Sequence, residues 1–81
     1  MASTDTATFV RETIARIAGI APPADGEDIY TAGFASTDAL ELLVELEDRF
    51  GVVLPDDRFI EARTIAALVE LVESLPQEAA G

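Results

Sequence analysis

Ser36 stands where a chain turn becomes a helix. It lies in the run "GFASTDALELL", Gly33 to Leu43, in which a glycine-led turn opens into an acidic, leucine-rich segment. A serine there has two uses. Its oxygen can cap the helix by accepting from a backbone N–H of the first turn. Its hydroxyl can also be an attachment point for a covalent group. A phosphodiester at that place would meet free backbone N–H groups and the positive end of the helix dipole. The other usual chemistries lack their residues. There is no cysteine and no histidine, so thiolate metal sites, disulfides and the common general base are excluded. There is no lysine either, which leaves a nucleophilic serine without an amine base.

The elements that must place Ser36 follow from periodicity. A first helix is expected from about Thr4 to Ala18, with Phe9 or Val10, Ile14 and Ile17 at helical spacing and Gly19 as its stop. Ser3, Thr4 or Asp5 would cap it. From Ile20 to Ala35 the pattern is lost; "APPADGEDIYTAGFA" reads as a long loop of about 16 residues, pinned to the core by Ile29, Tyr30 and Phe34. The second helix is expected from about Ser36 to Phe50, closed by a left-handed Gly51. Pro55 begins a short helical turn with Asp56 and Asp57 at its start. Thr64 caps a last helix to about Leu75, with Ile65, Leu68, Val69 and Val72 on one face. Pro76 ends it, and "QEAAG" is expected to fray. The fold class is therefore all-α, a small four-helix bundle with a long loop between helices 1 and 2 and a short third helix. One domain, residues 1–81, is expected, with its core at about 4–75.

The second helix carries three kinds of face. Stepped at about 100° per residue, Ala39, Leu42, Leu43, Leu46 and Phe50 share one arc, an ordinary core stripe. Asp38, Glu41, Glu45 and Asp48 form an acidic stripe nearly opposite, with Glu45–Arg49 as the favourable i,i+4 pair. Those carboxylates are exposed, so they lack the burial that acid catalysis needs, and they suit only diffuse binding of divalent cations. Leu40 and Val44 fit neither stripe. They either widen the core face or form an apolar ridge beside an acidic rim, the layout of a docking surface for partners with a basic rim.

The totals narrow the partners. Five basic against 16 acidic residues give −11. A nucleic-acid partner is disfavoured, because phosphate binding needs a basic surface. The charge favours a basic protein partner, or serves solubility alone. No run approaches the roughly 20 apolar residues of a membrane span, and "MASTDTATF" lacks the basic and apolar parts of a secretory signal, so the cytoplasm and no membrane are expected.

The run "DIYTAGFASTDALELLVELEDRFGVVLPDD", Asp28 to Asp57, resembles acyl carrier proteins. The matching pieces are Gly33, Ser36, Leu42, Leu46–Glu47, Phe50–Gly51 and Leu54–Pro55–Asp56, with no gap between Ser36 and Pro55. The resemblance implies a monomeric four-helix carrier without catalytic activity of its own. It implies phosphopantetheine joined to Ser36 through a phosphodiester, with an acyl or aminoacyl group held on its thiol as a thioester. It implies a phosphopantetheinyl transferase, a loading ligase or transferase and downstream synthase enzymes as partners. Thr37, Leu40, Glu41, Val44, Glu47 and Asp48 fall on the positions that such partners read. The family's Asp-Ser-Leu triplet is here Ala35-Ser36-Thr37. The missing aspartate removes a carboxylate that helps the transferase engage and a helix cap, the latter partly replaced by Asp38 as a first-turn acid. The missing leucine removes an apolar recognition contact. The glycine-glycine-His-Ser turn of modules in large peptide synthetases is absent, which favours a discrete carrier of fatty acid, polyketide or other secondary-metabolite biosynthesis. The alternatives are an aminoacyl carrier with a dedicated ligase, and an unmodified carrier-fold interaction module.

Overall fold

The computed structural model describes residues 2–76. Helix α1 spans Ala2–Ala18, α2 Ala39–Phe50, α3 Asp56–Glu61 and α4 Ile65–Ser74. A 3₁₀ turn, Ser36–Asp38, leads directly into α2. No strand occurs among the described residues. The all-α expectation holds, with the long loop and the short third helix in their expected places. The part of the tail from Gln77 onward lies outside the described residues.

Helix ends follow local chemistry. Gly19 and Gly51 adopt left-handed φ angles of 67° and 65°. Each N–H donates to the carbonyl four residues back, Ala15 and Glu47 respectively, and so stops its helix. The Thr64 hydroxyl accepts from the Ala67 N–H at 3.0 Å and caps α4 as expected. Two starts differ from expectation. Helix α1 already runs at Ala2, so Ser3, Thr4 and Asp5 lie inside its first turns and do not precede it. Helix α2 starts at Ala39, because the Asp38 N–H reaches only three residues back, to the Ala35 carbonyl at 2.9 Å, and winds Ser36–Asp38 more tightly.

Helix α1 packs against α2 and α4, and α3 leans on α4. The core stripes meet inside: Val10 and Ile14 of α1, Leu42 and Leu46 of α2, and Ile65, Leu68 and Val72 of α4 are buried. Phe9, Ile17, Ala39, Leu43, Phe50 and Val69 pack around them while partly exposed. Val52, Leu54, Phe59 and Ala62 are also buried, which periodicity did not reveal. They sit in and around α3, a helix of only 6 residues, too short to display a repeating face.

The long loop is ordered by bonds to other elements. Ile29 N–H donates to the Arg63 carbonyl at 2.8 Å, and Ala66 N–H donates to the Asp25 carbonyl at 3.1 Å. Arg11 of α1 pairs with Asp25. Ile29 and Phe34 are buried and Tyr30 half-buried, so all three expected anchors hold the loop down. Gly33 must be glycine here. Its φ is 121°, and a Cβ would lie 3.0 Å from the Ile20 side chain.

Charge pairing differs from the helical rule. Glu45 does not pair with Arg49; it accepts from Arg16 of α1 at 2.6 Å. The Arg49 guanidinium instead lies 5.0 Å above the centre of the Phe9 ring, itself edge-on to Phe50. Contacts between helices have displaced a contact within one.

Candidate functional site

Ser36 is exposed at the first position of the 3₁₀ turn, with Ala35 in the capping position. Ala35 has the extended backbone of a cap residue, φ −85° and ψ 151°, but no side-chain acceptor. Ser36 therefore does not cap. Among the described residues its hydroxyl has no hydrogen-bond partner. Asp38 supplies only the reciprocal half of a capping box: its carboxylate accepts from the Ala35 N–H at 3.2 Å. An aspartate at residue 35 would serve a different donor, a backbone N–H of the first turn. It follows that Ala35→Asp, which adds an acceptor to a backbone already shaped for it, raises stability by roughly 0.5–1 kcal/mol in chemical denaturation. A lower denaturation midpoint would count against this account of the turn.

Ser36 also lines a surface cleft of about 670 Å³. Phe34, Ala39, Leu40, Leu43, Phe59 and Ile60 supply its apolar wall, and Tyr30, Asp56 and Arg63 its polar side. The loop, α2, α3 and the α3–α4 junction each contribute. Buried Phe34 fixes the chain two residues before Ser36, and buried Phe59 fixes α3 across the cleft. An exposed hydroxyl beside an apolar cleft fits a covalently tethered arm with an apolar load: nothing competes for the oxygen, and the wall can shelter a chain.

The residues expected to meet partners lie as follows. Thr37, Glu41 and Asp48 are exposed. Leu40 and Val44 are 68% and 55% exposed, so they do not widen the core stripe. Large apolar side chains so open to water form a ridge next to Ser36. Glu47 is half-buried and one carboxylate oxygen accepts from the Leu54 N–H at 2.8 Å, which ties the α2–α3 link to α2. In the acidic stripe Asp38 and Glu45 are engaged within the fold, while Glu41 and Asp48 stay open to solvent.

Sequence reasoning missed two features. Ile60 and Val53 are 64% and 60% exposed and extend the apolar surface beyond α2. The second is a polar cluster at the cleft. Arg63 donates from Nε to Asp28 Oδ2 at 2.8 Å and from Nη2 to Oδ1 at 3.4 Å, with its guanidinium carbon 4.7 Å above the Tyr30 ring centre. The hydrogen bond from Arg63 lowers the Asp28 pKa, and the same bond raises that of Arg63. Burial raises that of Tyr30. These partners lie 35 residues apart, so no local pattern announces them.

Comparison with known proteins agrees with this geometry. The family model described as "Phosphopantetheine attachment site" matches residues 8–72. An acyl carrier protein of Campylobacter hominis is 32% identical over 69 residues, covering 82% of this chain and 87% of its own length. The matched span runs from α1 to the last turns of α4 and so takes in the whole cleft and its serine. The chain belongs to the acyl carrier protein family, whose members carry covalent phosphopantetheine and leave catalysis to other enzymes.

Proposed function

We infer that Ser36 is the attachment residue and that this protein presents an acyl group to biosynthetic enzymes. The observation that carries this reading is the free Ser36 hydroxyl, exposed on a turn that does not need it as a cap, at the edge of an apolar cleft. The arm supplies the thiol that holds the cargo as a thioester. The protein's own residues hold the serine out, shelter the chain and mark the surface for partners. Loop anchors Ile29 and Phe34 fix the position of the turn, and Leu40, Leu43, Phe59 and Ile60 offer the chain an apolar wall.

Thr37, Leu40 and Val44 form the part of the partner surface nearest the serine, with Glu41 and Asp48 as its acidic rim. Glu47 supports it from behind through Leu54. A transferase, a loading enzyme and synthases with basic docking faces fit such a surface, because opposite charge steers encounter and apolar contact holds it. No helix among the described residues is long and apolar enough to cross a membrane. Work with diffusible enzymes in the cytoplasm fits these features.

Intact mass spectrometry tests the reading. Coexpression with a broad-specificity phosphopantetheinyl transferase is expected to add the mass of one arm to most of the protein. A chain that stays at its bare mass under conditions that convert a control carrier overturns it.

A further inference from the structure

The cleft has one basic side chain on its wall, in a molecule of charge −11. Three other arginines are used elsewhere: Arg11 pairs with Asp25, Arg16 with Glu45, and Arg49 covers Phe9. Arg63 is held differently. Asp28 grips its Nε and one Nη2 hydrogen, and the Tyr30 ring supports its flat face. A guanidinium has five N–H donors, so the Nη1 pair and one Nη2 hydrogen remain without a hydrogen-bond partner among the described residues. Tyr30 stands edge-on to Phe34 at 5.7 Å, so the arginine is mounted on the aromatic part of the cleft wall. The guanidinium is oriented in advance and keeps spare donors next to an apolar surface. A saturated chain has no use for those donors. A carboxylate would use them but would also meet Asp56 in the same cleft.

Resting on the carrier reading above, we propose that Arg63 is a specificity-determining residue: the cleft takes an acyl chain that bears a neutral carbonyl oxygen along its length, and Arg63 donates to that oxygen. Asp28 is its positioning residue. The apolar wall of Phe34, Leu40, Leu43, Phe59 and Ile60 contacts saturated and carbonyl-bearing chains alike.

The test attaches two non-hydrolysable cargo arms to the whole protein through a transferase. One has a saturated chain; the other has the same length with a single mid-chain ketone. Mass spectrometry first establishes attachment, and failure there overturns the carrier reading together with this proposal. On loaded protein, backbone amide shifts of Phe59 and Ile60 report the docked fraction, and the Arg63 Nη–H resonances, which include the donors that Asp28 leaves spare, report the contact with the carbonyl. The ketone chain is expected to have a docked-to-undocked ratio about tenfold higher, the factor that a charge-assisted hydrogen bond of modest strength gives. Arg63→Met, which keeps the stem over Tyr30, is expected to bring the ketone chain down to the saturated level, and Arg63→Lys to restore part of the difference. Equal docking of both chains in the unsubstituted protein overturns the proposal. So does an equal loss for both chains in Arg63→Met. A full shift of the Nη–H resonances with a bare arm assigns the arginine to the arm's phosphate, which also overturns it.

Discussion

Phe34→Ala lowers the folding stability of this protein by about 3–5 kcal/mol, the usual cost of removing a buried phenylalanine from a packed site. Phe34 is 2% exposed and among the largest fully buried side chains. Its ring meets Tyr30 edge-on, with planes at 66°. Its backbone N–H donates to the Ile29 carbonyl at 3.0 Å, and the preceding Gly33 has no freedom to adopt another side chain. The site therefore collapses poorly when the ring is lost. Domains of this size are stable by roughly 5–15 kcal/mol, so the variant sits close to unfolding. Urea denaturation followed by circular dichroism reads the change, with Phe34→Leu as the milder control. A loss under about 1 kcal/mol would show that the loop is not anchored as described. The same ring lines the cleft and fixes the chain just before Ser36, so Phe34→Leu is also expected to slow modification while leaving the helices folded.

Features that depend on neighbours in sequence were legible without the structure. Gly19, Gly51 and Thr64 each act through a carbonyl or N–H three or four residues away, and each does what its type and place imply. The stripes of α1, α2 and α4 were legible because each of those helices has at least 10 residues, enough to show a period. The ridge of Leu40 and Val44 was visible as a departure from a stripe that was otherwise complete. Features that depend on folding were not legible. Arg16 reaches Glu45 across 29 residues and Arg63 reaches Asp28 across 35. The resemblance places Glu47 among the residues that partners read, yet it is half-buried against the α2–α3 link because Val52 and Leu54 pull that link into the core. The cleft itself needed Phe59 and Ile60 to be sorted to opposite environments, 5% and 64% exposed, within a six-residue helix. Its chemistry therefore emerged only when four segments were brought together.

Ser36→Ala is expected to abolish modification without disturbing the fold, and both halves of that outcome matter. The hydroxyl has no hydrogen-bond partner among the described residues, and the turn is completed by the Asp38 N–H donating to the Ala35 carbonyl and the Asp38 carboxylate accepting from the Ala35 N–H. Removing an exposed oxygen with no partner changes stability by no more than about 0.5 kcal/mol. A capping serine would instead lose about 0.5–2 kcal/mol. Denaturation of the bare protein and its variant separates the two roles directly. Coexpression with a transferase then reads the covalent role: the parent chain gains the mass of one arm and the variant gains nothing. A variant that still gains mass moves the attachment to another hydroxyl, with exposed Thr37 the nearest candidate. A variant that loses both stability and modification returns Ser36 to a structural role. The combination of unchanged stability and absent modification isolates the tether, because the only function then lost is the one performed by the oxygen itself.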